Sequence, residues 1–497
     1  MLPLASLPSR YGIGDIGSAA KTFVDFLAKG EQSLWQILPI NPISEQSSYS
    51  PYGSYSAMAG NILLLDPSWF CKQGLVTSGE IKHTEVKKNN TINYTQAERR
   101  KNKLFDTAWD AYKKKKPADI VKQYHSFCTK EKSWLDDFAS YVVLKKNFNN
   151  LPWYSWPTEY AGYNKKAIKD FVQEHSDEYE KVKWLQFAFA LQWEELKMQC
   201  KKSGIQLFGD MPFYVGSDSV DVWSNRDIFN IANDGTILKN AGVPPDYFSE
   251  TGQLWNMPTF RWDLLHQQGY EWWIRRLAKN LEYFDLLRLD HFRAFHSYWE
   301  VPEGATTAID GKWVKGPATN FFKVAEKHLP GMPFVAEDLG DNMEGPYVLR
   351  ERLKFPGMKV LQFAFGDNMA TSVDIPHNYI EHCIAYTGTH DNNTTKGWYT
   401  TEADNATKKR LAEYYGRKIS KEHVHLDMIR MVYSSVAKTA IIPIQDVLGL
   451  EGQTRINTPG TDKSNWLWRL TTGQINDSVS GLLAKWAKLY NRSNQLS

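Results

Sequence analysis

Cysteine is scarce in this sequence. Four are present among 497 residues, at positions 71, 128, 200 and 383, and none belongs to a C-x-x-C motif. Structural zinc sites and the disulfide frameworks of small secreted domains need more cysteines or a closer spacing. The first residues also lack the basic region and apolar core of a signal peptide. We therefore expect a cytoplasmic protein with free thiols.

Long hydrophobic runs and an excess of one charge are missing as well. No apolar stretch approaches the roughly 20 residues that a membrane-spanning helix needs. Lys and Arg total 59 and Asp and Glu total 56, which gives a formal net charge of +3. Because a nucleic-acid-binding protein usually carries a clear basic excess, we expect neither nucleic acid nor a membrane as a partner.

Aromatic residues, in contrast, are abundant. Phe, Trp and Tyr make up 14% of the chain, and 19 residues are Trp. Disordered chains are poor in aromatics, so this composition predicts a folded protein. The length suits about three domains or one large α/β barrel with insertions.

Short apolar runs recur along the chain. Helix-compatible segments separate most of them, at 17–29, 271–283, 318–328, 345–353 and 404–436. Runs without strict polar alternation are typical of parallel strands that are buried on both faces. Eight such units predict an α/β fold of the (β/α)8 barrel type. A doubly wound sheet is the alternative, but no G-x-G-x-x-G motif follows the first run. The runs comprise residues 2–5, 33–38, 206–208, 286–289, 334–336, 360–365, 383–386 and 440–444.

The composition also indicates how the chain is divided. Residues 67–200 are rich in Lys and Asn and contain long helix-compatible stretches at 95–114, 118–147 and 178–202. We expect a mainly helical insertion there, between a first barrel part at 1–66 and the remaining barrel at 201–497. A smaller, lid-like insertion is expected near 217–262.

Charged side chains follow several of the predicted strands. Asp210, Asp290, Glu337 and Asp391 each come at or just after an apolar run, and Arg288 lies two residues before Asp290. Active residues of barrel enzymes project from the carboxyl ends of strands, so these groups should converge. Two carboxyl groups on either side of a substrate are what glycoside chemistry needs.

Metal binding is the competing use of such residues. The pairs formed by His291 with Asp290 and by His390 with Asp391 are adjacent in sequence, and there is no H-E-x-x-H motif. We therefore predict no catalytic metal and no cofactor.

Three motifs at these strand ends resemble the signature blocks of 4-α-glucanotransferases, the amylomaltases or disproportionating enzymes related to the α-amylase clan. They are LDHFR at 289–293, VAEDLG at 335–340 and GTHDN at 388–392. Further blocks extend the resemblance over nearly the whole chain. These are LPSRYGIGD at 7–15, WQILP at 35–39, SPY at 50–52, AGN at 59–61, AGVPPDYF at 241–248, RINTPG at 455–460 and NWLWR at 465–469.

The resemblance implies a barrel with inserted subdomains and a retaining double displacement. By motif, Asp290 is expected to be the nucleophile, Glu337 the general acid/base, and Asp391 a residue that grips the sugar in the transition state. Asp210 and Tyr52 are expected at the substrate, although support of the barrel and ordinary packing remain open for them. The remaining expected substrate-binding residues are Ser50, Asp246, Tyr247, Phe248, Trp255, Arg288, His291, Phe363, Asp367, His390 and Asn457.

Residues 241–255 could act as a lid, because two prolines stiffen a segment rich in aromatics. A lid would shield a covalent intermediate from water while an acceptor sugar binds. The expected partners are maltooligosaccharides and linear α-1,4-glucans, with glucose as an acceptor. An α-glucan hydrolase with the same carboxylates and a non-catalytic glucan-binding protein are the alternatives, and the oligomeric state stays open.

Overall fold

The computed structural model describes residues 1–86, 89–245, 249–340, 342–461 and 463–493. Eleven strands are formed within these residues. They are β1 (Leu34–Gln36), β2 (Gln206–Met211), β3 (Lys239–Val243), β4 (Gln253–Pro258), β5 (Leu286–Leu289), β6 (Ser297–Pro302), β7 (Lys312–Lys315), β8 (Phe334–Ala336), β9 (Gly357–Val360), β10 (Cys383–Tyr386) and β11 (Thr439–Ile441).

Seven of these strands run parallel to one another in two sheets, ordered β1-β2-β5-β8 and β9-β10-β11. Backbone hydrogen bonds join the two sheets at both edges. On one side Ala336 N donates to Pro356 O over 3.0 Å. On the other, the amino group of Met1 donates to Ile442 O over 2.7 Å, and Leu2 N donates to Gln36 O over 3.1 Å. The sheets therefore close into a barrel, as predicted.

The barrel interior is filled by apolar side chains from five of its strands. The members, each at most 3% exposed, are Phe208, Val335, Met358, Ile384, Tyr386 and Ile441. Because side chains alternate across a strand, the residue two positions further along the chain faces the same interior. This alternation directs specific polar residues toward the carboxyl-end rim of the barrel.

Eight helices lie between positions 67 and 202, where the sequence predicts a mainly helical insertion. Nineteen helices in all are formed within the described residues. They are α1 (Ser18–Lys29), α2 (Pro67–Lys72), α3 (Ser78–Lys82), α4 (Tyr94–Lys115), α5 (Ala118–Lys130), α6 (Lys132–Asn147), α7 (Thr158–Ala161), α8 (Lys165–Glu174), α9 (Ser176–Lys202), α10 (Val220–Ser224), α11 (Trp262–Gln267), α12 (Glu271–Tyr283), α13 (Ala318–His328), α14 (Glu344–Leu353), α15 (Thr395–Gly397), α16 (Asn405–Tyr415), α17 (Val424–Ser434), α18 (Ile444–Val447) and α19 (Asp477–Leu489). None of the helices described is long and apolar enough to cross a membrane.

Helix α9 joins the helical region 67–200 to the loop that follows β1. The side chain of Gln186 exchanges two hydrogen bonds with the backbone of Gly60, at 2.8 and 2.9 Å. Gln192 Oε1 accepts from Asp66 N over 2.8 Å. A Cβ atom on Gly60 would lie 2.3 Å from the ring of Phe189, so only glycine permits this close approach. These contacts hold the segment that carries Tyr52.

The strands β4-β3-β6-β7 form a separate antiparallel sheet that the sequence did not reveal. Two of its strands, Lys239–Val243 and Lys312–Lys315, are polar or contain Gly. Such segments lack the apolar pattern by which the barrel strands were found. This sheet carries Trp255 on β4.

Three of the predicted strands need correction. Residues 2–5 form no strand, because Pro3 cannot donate to a ladder and Leu4–Ser6 make a 3-10 turn. The strand predicted at 360–365 is Gly357–Val360, and the residues after it form a turn in which Leu361 is buried and Phe363 is exposed. The strand predicted at 440–444 is Thr439–Ile441, and Pro443 follows it.

Two predicted helices are each divided. The stretch 404–436 contains α16 and α17, since Gly416 ends α16 in the left-handed conformation, with φ +82°. The stretch 118–147 contains α5 and α6, which meet at the buried Glu131.

Candidate active site

The barrel strands themselves aim the predicted residues at one rim. Phe208 and Val335 belong to the barrel interior, and Asp210 and Glu337 follow each of them by two positions. On β5 the same alternation leads from Leu286, which packs against that interior, through Arg288 to Asp290. Arg288 pairs with Asp210 in the register of β5 and β2. Local strand geometry therefore brings these charged groups together.

Arg288 is the centre of the charge network. Its Nη1 atom lies 2.7 and 2.8 Å from the two carboxylate oxygens of Asp210 and 2.8 Å from Asp290 Oδ1. Tyr52 donates its hydroxyl to Asp210 Oδ2 over 2.8 Å. Asp210 and Arg288 are only 1% and 4% exposed. One buried cation thus serves two carboxylates, and Asp210 ties Tyr52 to the same network.

Glu337 is held by backbone donors. Its Oε2 accepts from His291 N over 2.9 Å, and its Oε1 accepts from Leu339 N over 3.1 Å. His291 has a φ of +48°, a conformation that is uncommon for a residue with a side chain. That turn points the amide of His291, the neighbour of Asp290, at Glu337. The two carboxyl groups are therefore linked through one peptide unit.

Burial alters the titration of both acids. It raises the pKa of Asp290 to about 8, with Arg288 opposing and the carboxylates of Asp210, Glu337 and Asp391 reinforcing the rise. Burial also raises the pKa of Glu337, against the effect of Arg288 and of its two backbone donors. Interacting acids of this kind share protons, so the pair retains a proton near neutral pH.

Asp391 lies on the loop after β10, and the structure brings Asn457 to it. Asn457 Nδ2 donates to Asp391 Oδ1 over 2.6 Å, and His390 Nε2 lies 3.3 Å from the same oxygen. Burial lowers the pKa of His390, so its imidazole is neutral at pH 7. The ring of Tyr52 stacks on His390 with centroids 5.2 Å apart.

Trp255 is in contact with His291, the residue that follows Asp290. Their rings contact edge to face with centroids 5.0 Å apart. Burial, followed by Arg293 and Arg288, lowers the pKa of His291 to about 3. Its Nε2 atom is buried and has no hydrogen-bond partner among the described residues. A neutral imidazole nitrogen is therefore left available for a hydroxyl group of a ligand.

The remaining predicted residues are placed less centrally. Ser50 Oγ accepts from Tyr52 N over 3.3 Å and shapes that loop. Phe363 is 47% exposed. Asp367, whose side chain is 98% exposed, pairs with Arg410 over 2.8 Å. Asp246, Tyr247 and Phe248 lie outside the described residues.

Three further residues at this site were not predicted. The Trp466 ring lies 5.9 Å from Tyr52 and 6.1 Å from His390. Tyr214 packs 5.9 Å from Trp255 and 6.4 Å from His291. Arg455 donates to the backbone oxygen of Asp391 over 2.5 Å. Each lies in a motif block or near the end of a predicted strand. The sequence carries no signal that sets these three residues apart from the residues beside them.

A cavity of about 250 Å³ lies elsewhere, between α12 and the α5–α6 junction, and contains none of the predicted site residues. No group of three or more His, Cys, Asp or Glu within the described ranges could hold a metal ion.

The fold and site define a class of protein: a barrel enzyme with two neighbouring, half-buried carboxyl groups at its carboxyl-end rim. The family model for glycoside hydrolase family 77, described as 4-alpha-glucanotransferase, matches residues 2–475. The chain belongs to the 4-alpha-glucanotransferase family. Its enzymatic class is accordingly that of a glycosyltransferase, and the hydrolase alternative is not favoured.

Individual relatives match over almost their full length. The 4-alpha-glucanotransferase of Streptococcus pneumoniae (serotype 4) is 39% identical over 497 residues, covering 100% of this chain and 97% of the relative. That of Aquifex aeolicus is 40% identical over 470 residues, covering 95% and 94%. The solved amylomaltase of Streptococcus agalactiae in complex with acarbose has a TM-score of 0.95 at 34% identity and covers 99% of both chains.

Proposed function

We propose that this enzyme transfers a segment of a 1,4-α-D-glucan to the 4-hydroxyl of another glucan or of glucose, through a covalent glycosyl-enzyme on Asp290. One observation carries the proposal. Arg288 pairs with Asp290, whereas the neighbouring Glu337 receives only backbone N–H groups among the hydrogen bonds described. Burial raises the pKa of Asp290 to about 8, and the contact with the guanidinium opposes that rise. In the reacting complex we therefore assign the negative charge to Asp290 and the proton that the two acids share to Glu337, as a retaining displacement requires.

This arrangement supplies both steps of a retaining displacement. In the first, a carboxylate oxygen of Asp290 bonds to C1 of the sugar, the bond from C1 to the leaving O4 breaks, and Glu337 gives its proton to that oxygen. In the second, the 4-hydroxyl of the acceptor attacks C1 while Glu337 takes its proton and the ester bond to Asp290 breaks. The configuration at C1 is inverted twice and thus retained.

Other side chains would hold the sugar. Asp391, fixed by Asn457 and next to His390, presents a 43% exposed carboxylate that suits vicinal hydroxyl groups. His291 offers its unpartnered Nε2 atom. The stack of Tyr52 on His390 adds a planar wall of the type that packs against sugar rings.

The choice of a sugar over water as acceptor requires the intermediate to be shielded. Trp255 contributes to this shield, because it covers His291 and Tyr214. The lid role of residues 241–255 remains a prediction, since 246–248 lie outside the described residues.

The proposed substrates are maltooligosaccharides and linear α-1,4-glucans, with glucose as an acceptor. The relatives named 4-alpha-glucanotransferase and the amylomaltase complex with acarbose support this substrate class. We place the enzyme in the cytoplasm, which agrees with the four unpaired cysteines.

Incubation with maltotriose tests the proposal. We expect glucose together with maltopentaose and longer chains, and we expect the Glu337→Gln variant to form neither. Glucose and maltose alone would instead show that water is the acceptor. An unchanged substrate would contradict the proposed reaction altogether.

A further inference from the structure

Arg455 lies next to the backbone of Asp391, and all three nitrogen atoms of its guanidinium make contacts there. Nη2 donates to Asp391 O over 2.5 Å, Nε donates to Asn457 O over 2.7 Å, and Nη1 lies 3.1 Å from Glu402 Oε1. The side chain is 21% exposed. One guanidinium thus joins the backbones of two loops that are distant in sequence.

The loops that Arg455 joins are also connected directly. Asn457 N donates to His390 O over 3.1 Å, and Asn457 Nδ2 donates to the carboxylate of Asp391 over 2.6 Å. The side chain of Asp391 is itself 43% exposed, so packing does little to fix its direction. Asn457 and His390 are the side chains that contact its carboxylate, and Arg455 holds the backbone of Asn457.

Glu402 supports this arrangement from the opposite side. It ends the π-helical turn Trp398–Glu402, a form of backbone that often occurs at functional sites. Its Oε1 atom accepts from Asn393 Nδ2 over 2.8 Å as well as from Arg455. Because Asn393 is two residues after Asp391, Glu402 holds the loop of Asp391 at a second point.

We propose that Arg455 is a positioning residue for Asp391, which acts by fixing the carboxylate toward the sugar as the transition state forms. The proposal rests on the role of Asp391 given above. Arg455 reaches Asp391 only at its backbone oxygen and is not proposed to touch the substrate. Lysine cannot replace it fully, because a single ammonium group cannot serve three separately placed acceptors.

The first test is the kinetics of Arg455→Met and Arg455→Lys with maltotriose. A displacement of a reacting group by about 1 Å can cost about 100-fold in rate, so we expect kcat to fall about 10- to 100-fold in the Met variant. We expect KM to change less than about threefold and the Lys variant to be intermediate, since the lost interaction acts mainly in the transition state. A changed KM with an unchanged kcat would overturn the proposal.

A matched control separates positioning from general stability. Arg417 also bonds a backbone oxygen, that of Lys418, and a buried carboxylate, that of Asp427. Arg417→Met should lower the melting temperature without lowering kcat per folded molecule. Equal losses of kcat in this variant and in Arg455→Met would show that the effect of Arg455 is merely structural.

A double-mutant cycle decides whether Arg455 acts through Asp391. With α-maltosyl fluoride, a donor whose good leaving group keeps slow variants measurable, Arg455→Met should cost less than about twofold in an Asp391→Asn background. The same fold loss in both backgrounds would refute the coupling. Should Asp391→Asn alone remain fully active, the role assigned to Asp391 fails instead, and the two failures are therefore distinguishable.

Discussion

Replacement of Arg288 by Met should separate the stability of the site from its chemistry. The substitution removes the guanidinium group, whose Nη1 atom contacts three oxygens of Asp210 and Asp290. Asp210 is 1% exposed and would keep a buried charge without a cation. Breaking a buried ion pair in this way costs about 3–5 kcal/mol of the free energy of unfolding.

The catalytic effect follows from Asp290. Without the guanidinium, the pKa of Asp290 rises beyond its present value of about 8, and each further unit reduces the ionised fraction at pH 7 about tenfold. We therefore expect the disproportionation of maltotriose to fall at least about 100-fold. Urea denaturation and product analysis on the same preparation provide the two measurements.

The double variant Arg288→Met/Asp210→Asn provides the internal comparison. It removes the buried negative charge of residue 210 that has lost its cation. Because the amide oxygen of the asparagine can still accept the hydrogen bond from Tyr52, most of the lost stability should return. Activity should not return, because Asp290 still lacks its cation. The reasoning is refuted if the single variant keeps more than about a tenth of the activity, or if the double variant is no more stable than the single one.

Three other predictions concern the same region. Asp290→Asn should raise the melting temperature, and the gain should grow from about pH 4 to pH 8, because the raised pKa of Asp290 in the folded state makes the wild-type protein lose stability as the pH rises toward about 8. A gain that is constant with pH would contradict this. Tyr52→Phe should keep KM within about twofold, since the ring still stacks on His390, whereas Tyr52→Ala should raise KM about tenfold or more. The same KM in both variants would mean that the ring binds no sugar. Gly60→Ala should lower the free energy of unfolding by about 1–3 kcal/mol in urea denaturation, because the added Cβ atom clashes with the ring of Phe189. An unchanged free energy of unfolding would show that the loop around Gly60 can shift to accept the methyl group.

Much of the barrel could be predicted because its strands are short, apolar and followed by charged residues. The apolar pattern gave wrong strands where buried residues belong to other backbone structures. Leu361, Ala364 and Phe365 are buried as fully as strand residues but belong to a turn, because the pairing of β9 with β10 ends at Val360 and Tyr386. In a comparable way, Met1 and Leu2 bridge β11 and β1 by hydrogen bonds although Pro3 prevents a strand.

Within the site, the residues that carry charge at strand ends could be predicted from their positions. The residues that hold these charged side chains in place could not be predicted. Arg455 is 64 positions from Asp391, and the contact between them exists only because two loops meet in the folded chain. The position of Trp466 at the site could not be predicted for another reason. The chain contains 19 Trp, so the presence of one of them in a motif block does not indicate that it lies next to Tyr52.

The most direct test of the account is the identification of the covalently modified residue. The Glu337→Gln variant, treated with α-maltosyl fluoride and quenched in acid, should gain the mass of one maltosyl group, because the activated donor needs no acid to form the ester while the variant lacks the base that resolves it. Peptide mapping should place that mass on Asp290, and Asp290→Asn/Glu337→Gln should gain none. A maltosyl group on any other residue, or one retained by the double variant, would contradict the assignment of Asp290 as the nucleophile.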